Sequence, residues 1–133
     1  MGLVRLMPKK GAVVTPVAAD ERHDLLAVRT MFEVESVASL TADGGGLDAL
    51  AEPLRVRLDE QRAALDAGDL LAFAAADYAF HATVILAGGN AVVRELLATL
   101  APRLARLTHQ ACLDRPWSLP NCSGARDARR AGR

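Results

Sequence analysis

Apolar positions open the chain in two short runs, Leu3 to Met7 and Ala12 to Thr15, the second rich in β-branched residues. Between them stands Pro8-Lys9-Lys10-Gly11, a turn composition ending in glycine, so the pattern predicts a β-hairpin. Its tip is basic: Arg5, Lys9 and Lys10 all come before the first acid, Asp20. A two-stranded hairpin is marginal in water, so it is expected to lean on a larger unit.

From Asp20 onward the apolar spacing changes to three and four, the repeat of a helix that buries one face. Asp20 is placed as the cap of a first helix that runs to about residue 40, with Leu25, Arg29, Phe32, Ser36 and Leu40 on one face. Gly44-Gly45-Gly46 breaks it. A second helix is expected over roughly 47–67, with Leu47, Leu50, Leu54, Leu58 and Leu65 turned inward. Pro53 either marks its first turn or kinks it, because proline lacks a backbone donor. Gly68-Asp69 reads as a stop followed by a new cap, and a third helix runs from 70 to about 87, up to Gly88-Gly89-Asn90. The fourth spans 91 to about 113, with its stripe at Val93, Leu97, Leu100, Leu104, Leu107 and Ala111, and Pro102 is expected to bend it. Beyond Arg115 no stripe is visible; prolines, Gly124 and four arginines (Arg126, Arg129, Arg130, Arg133) read as a solvated, disordered tail.

The expected architecture is therefore all-α, an antiparallel helical bundle preceded by a short hairpin. Composition agrees: of 133 residues 51% are hydrophobic, largely alanine and leucine, and aromatics are only 4%, a mixture that suits helices and effectively excludes a β-sandwich. Sixteen basic residues balance sixteen acidic ones, which argues against binding of nucleic acid by the whole domain. Cys112 and Cys122 form neither a disulfide framework nor a CxxC metal spacing. No apolar run reaches the ~20 residues of a membrane span and no signal peptide is visible, so a cytoplasmic protein is expected.

Candidate chemistry lies where polar residues interrupt apolar faces. The third helix presents Leu70, Phe73, Asp77, Phe80, His81 and Val84 on one face, which places Asp77 and His81 on the seam. Four residues apart, their side chains project alike from consecutive turns. A carboxylate and an imidazole so placed can share a divalent metal such as zinc, nickel or manganese, or can form a buried ion pair. Two ligands alone leave a metal site unfinished. On the first helix Arg29 stands among apolar residues. Its guanidinium is shaped to hold a carboxylate, and the plainer alternative is that it reaches the surface or pairs with Asp77 or a glutamate. His23 is expected in solvent and His109 at the favourable end of a helix dipole. No catalytic constellation is visible.

These residues resemble the effector-binding FCD domain of the FadR-type branch of the GntR family of bacterial transcription regulators. Asp24-Leu-Leu-Ala-Val-Arg29-Thr-Met-Phe-Glu33 looks like that domain's opening helix. Gly68-Asp69, Asp77-Tyr-Ala-Phe-His81 and Gly89-Asn90 resemble its most characteristic run, in order and spacing. The leading hairpin looks like the wing of the family's winged helix-turn-helix. The resemblance covers Gly2 to about Leu113 and divides the chain into a wing remnant (1–17), an FCD-like domain (18–113) and a tail (114–133).

The resemblance implies a dimerising helical bundle around a pocket for a small carboxylate effector. Arg29 would face the effector, and Asp77 and His81 would hold a divalent metal. In metal-binding relatives two further histidines come from later helices, which 116–133 does not resemble, so the site is expected to be half built. The chain is expected to be a fragment starting at the wing, without a recognition helix. DNA contact would then be limited to weak phosphate contacts of Arg5, Lys9 and Lys10, and the partner would be a second copy or an intact regulator. Two other readings stay open: a helical interaction module without ligand, and a metal-dependent hydrolase in which Asp77 and His81 gain a third ligand and a base.

Overall fold

The computed structural model describes residues 17–114, together with the backbone of residues 4–7 and 11–14. Strands β1 (Val4–Met7) and β2 (Gly11–Val14) pair antiparallel, with Val4 opposite Val14 and Met7 opposite Gly11. This is the expected hairpin; its tip residues Lys9 and Lys10, and Cys122 with the rest of the tail, lie outside the described residues.

Four helices follow: α1 (Ala19–Ala42), α2 (Ala51–Asp66), α3 (Leu70–Ala87) and α4 (Ala91–Asp114). The most local signals set the most distinct boundaries. α2 ends in a Schellman turn: Gly68 takes the left-handed conformation at φ +70°, its N–H donates to the Leu65 carbonyl at 3.1 Å, and the Asp69 N–H donates to Ala64 at 2.9 Å. Asp69 then caps α3, its carboxylate accepting from the Ala72 N–H at 3.0 Å. Asn90 does the same for α4, accepting from Val92 and Val93 at 3.0 and 3.1 Å.

Two starts differ from expectation. Asp20 is not the cap of α1. The helix begins two residues earlier, with Ala18 in the cap position, extended and making no side-chain cap bond, while Asp20 sits in the first turn and accepts from the Glu21 N–H at 3.0 Å. Buried Val17 anchors the chain just before that turn, and Asp20 still faces the positive end of the helix dipole. The second helix begins later than residue 47: a 3-10 turn at Asp48–Leu50 leads into α2, so Pro53 falls in the first α-helical turn, where its missing N–H has no intrahelical acceptor to satisfy. α4 runs on through Pro102.

α3 is the centre of the molecule and packs against α2, α4 and α1. It is also long and apolar enough, by length and composition, to cross a membrane. Its three helical neighbours cover only part of it, and 28% of that span is buried. Leu25 of α1, Ile85 of α3 and Leu97, Leu104 and Leu107 of α4 form the main core with Val17, and Ala64, Phe73 and Cys112 form a second cluster where α2, α3 and α4 meet. The inward face of α2 differs from the leucine pattern. Leu50 is buried, but Leu47 and Leu58 are exposed, and Gln61 and Ala64 take the buried positions.

Gly88, just past the end of α3, lies close against Ser36 of α1. The Ser36 hydroxyl donates to the Val84 carbonyl, and a Cβ on Gly88 would lie 2.9 Å from the Ser36 Cα. This crossing fixes the height of α1 along α3 and so decides which side chains meet one turn away, at the polar site.

Candidate functional site

One turn along α1 from Ser36 lies Glu33, and one turn along α3 from Val84 lies His81. Registration of the two helices at Ser36 brings Glu33 against the imidazole, with the His81 Nδ1–H donating to Glu33 Oε1. The other ring nitrogen, Nε2, lies 3.6 Å from Asp77 Oδ1. The second oxygen of Asp77 accepts from the Thr108 hydroxyl of α4 at 2.8 Å. A continuous polar chain, Glu33–His81–Asp77–Thr108, thus crosses the bundle from α1 through α3 to α4. Its exposure is graded: the side chain of Asp77 is 10% exposed, that of His81 21% and that of Glu33 25%, so the Glu33 end opens toward solvent.

The electrostatics follow from this geometry. Burial alone would raise the Asp77 carboxyl, but the contacts with His81 and Thr108 and the charges of His81 and Arg29 outweigh it and hold the group below its usual range. Burial would likewise lower the His81 imidazole. The two carboxylates at its ring nitrogens prevail, against an opposing push from Arg29, and lift it to about 9. At neutral pH His81 is therefore an imidazolium clamped between two anions, with the half-buried Arg29 as a second cation acting on the same cluster.

The structure brings together three of the residues predicted from sequence, Asp77, His81 and Arg29, and adds two that were not. Glu33 stands four residues after Arg29, a helical spacing that could have marked it, and Thr108 stands four after buried Leu104. His23 is exposed and His109 is half-buried on α4. Arg5 lies in β1.

As a metal centre the donor set is incomplete. Nε2 of His81 and Oδ1 of Asp77, 3.6 Å apart, are close enough to reach one ion, and Glu33 on Nδ1 is the outer partner that metal-binding histidines usually have. Among the described residues, however, no three His, Cys, Asp or Glu side chains form a group that could hold a metal. His81 would also have to give up its proton before ligating. The described residues alone do not fit a complete metal site, whether for a sensor or for a hydrolase.

Beside the Glu33 end runs an open groove of about 460 Å³ between α1 and α3, lined by Glu33, Val34, Val37, Ala38, Phe80 and Val84. Phe80, expected on the inward seam of α3, is half-buried and forms one wall of it. The Phe80 and His81 rings meet edge to face, with centroids 5.5 Å apart.

The four helices, with a polar chain running from α1 through α3 to α4, make the domain an all-α helical bundle behind a short hairpin. The FCD domain family matches residues 24–123, three quarters of the chain, and the protein belongs to that family. The match extends past Leu113, where the sequence resemblance was drawn, into residues outside the described part. FCD domains occur in GntR-family transcription regulators, where they bind small-molecule effectors. Among curated proteins and solved structures the chain finds no significant match.

Proposed function

We propose that this chain is the ligand-sensing domain of a GntR-type transcription regulator, and that a small carboxylate is sensed at the Glu33–His81–Asp77 cluster beside Arg29. The observation that carries this reading is the polar chain itself, buried at Asp77 and partly buried at His81 and Glu33. Taking charges out of water costs several kcal/mol per ion, and well-packed apolar side chains would stabilise the same space as well or better. A cluster with two carboxylates and two cations that joins three helices is therefore poorly explained as a stability device. It is well suited to a response: a ligand that changes the charge balance there has differential affinity for different packings of α1, α3 and α4, which is what moves an equilibrium between active and inactive states.

A divalent metal, zinc, nickel or manganese, belongs to this proposal only as an addition. Asp77 and His81 would hold it together with donors from outside the described residues. Association with a second copy or an intact relative is likewise proposed, supported by the exposed Val92 and Leu96 on α4. DNA contact through Arg5, Lys9 and Lys10 would be weak and lost with salt. A soluble cytoplasmic location follows from the regulator reading.

The test is a thermal-shift survey of the chain against mono-, di- and hydroxycarboxylates, with and without zinc, nickel or manganese. The expected result is a concentration-dependent rise in Tm with at least one carboxylate, lost in Arg29→Ala and in His81→Ala. A flat response to every acid would overturn the reading and leave a plain helical interaction module.

A further inference from the structure

Glu33 is a carboxylate of the protein itself, held against the imidazole of His81 at one end of the α1–α3 groove. It accepts from Nδ1 of His81 at the rim of the bundle, where both side chains reach solvent, and it forms the one polar end of an otherwise apolar groove. We propose that Glu33 is a resident stand-in: a monocarboxylate with an apolar tail enters the α1–α3 groove, accepts the His81 Nδ1–H in place of Glu33, and releases Glu33 to water. This rests on the ligand-sensing reading above and names the class of ligand.

The geometry selects that class. The groove follows α1 from Glu33 to Val37 and Ala38, about 6–8 Å at ~1.5 Å per residue, which suits an unbranched tail of about five carbons. Val34, Val37, Phe80 and Val84 offer that tail only apolar surface. Exchange of one carboxylate for another keeps the number of charges and hydrogen bonds inside the bundle constant. An ammonium would instead draw Glu33 away from His81, leave the half-buried Nδ1–H without an acceptor, and bring a third cation beside His81 and Arg29. A dicarboxylate would have to place its second charge on the valines.

Calorimetric titration of the full chain with hexanoate, acetate and hexylamine tests this, using the wild type, Glu33→Gln and Phe80→Ala. In the wild type hexanoate is expected to bind about tenfold more tightly than acetate, because the tail buries methylenes. Glu33→Gln, which removes the competing charge, should tighten hexanoate about fivefold or more. Phe80→Ala should weaken hexanoate and leave acetate unchanged, and this pair decides the matter if Glu33→Gln does not fold. Hexanoate binding that is unchanged or weaker in folded Glu33→Gln, or hexylamine binding more tightly than hexanoate, would overturn the proposal. Binding of other carboxylates but not hexanoate would overturn it while leaving the ligand-sensing reading intact; silence toward every carboxylate would remove both.

Discussion

Replacing Gly88 by alanine puts two physical effects in opposition, and the structure says which one wins. Gly88 has φ −66° and ψ −14°, a conformation alanine adopts freely, so on backbone grounds the change should stabilise the protein by about 0.4–1 kcal/mol. The new methyl, however, would lie 2.8 Å from Ser36 Oγ, 2.9 Å from Ser36 Cα and 3.1 Å from Ser36 Cβ. Carbon atoms prefer about 3.5–4.0 Å, so α1 must retreat by roughly half an ångström or more, and because the Cα is backbone no rotamer change relieves the contact. Overpacking of this kind costs about 1–3 kcal/mol. The net expectation for Gly88→Ala is a loss of about 1–2 kcal/mol, or roughly 5–15 °C in Tm for a domain of this size. Ser36→Gly in the same chain removes the Oγ and Cβ contacts but keeps the Cα, so it should recover part of the loss, giving a non-additive double-mutant cycle. Urea and thermal unfolding followed by circular dichroism measure both. A Gly88→Ala protein as stable as the wild type, or more so, would refute the close crossing of α1 and α3, and with it the register that brings Glu33 to His81.

Stability should also depend on pH through His81. Its folded value of about 9 lies above the ordinary 6.5, so its contribution is complete below pH 6.5 and is lost as pH rises through 9. At ~1.4 kcal/mol per pH unit this amounts to at most roughly 3 kcal/mol. Tm between pH 5 and 9.5 should fall on the alkaline side in the wild type and not in His81→Gln; equal slopes would disprove the clamp. Thr108→Val removes the hydroxyl 2.8 Å from Asp77 and should raise the Asp77 carboxyl toward the ordinary range, with a loss of about 1–2 kcal/mol, readable by carbon NMR of the carboxyl and by melting. Asn90→Ala should cost about 1 kcal/mol through loss of the α4 cap while Asn90→Asp keeps most of it; two variants of equal stability would argue against the cap.

What the sequence disclosed depended on how local each signal is. Gly68-Asp69 and Asn90 mark helix ends because a cap is decided by a few adjacent residues, and α3 matches its expected bounds for that reason. Asp20 misled because aspartate is favourable both as a cap and within the first turn, and burial of Val17 chose between them. Leu47 and Leu58 fit a helical stripe yet face solvent, since α2 meets α3 through the smaller Ala64 and through Gln61. Asp77 and His81 stood out as polar residues on an apolar seam, a contrast within a single helix. Glu33 and Thr108 border their stripes, marked only by a four-residue spacing from Arg29 and from Leu104, which is a weak signal within one helix. Only the crossing at Ser36 and Gly88, a contact between distant parts of the chain, brings Glu33 onto the imidazole.

The measurement that tests the account most directly is a long-range nitrogen–proton NMR spectrum of His81 in the wild-type chain near pH 7.5, recorded as small carboxylates are added. If the clamped cluster is the sensing site, both ring nitrogens are protonated before any addition, and the Nδ1 resonance moves saturably with a carboxylate that raises Tm. A neutral His81 ring whose resonances stay still while such a carboxylate binds would place the ligand elsewhere and contradict the account.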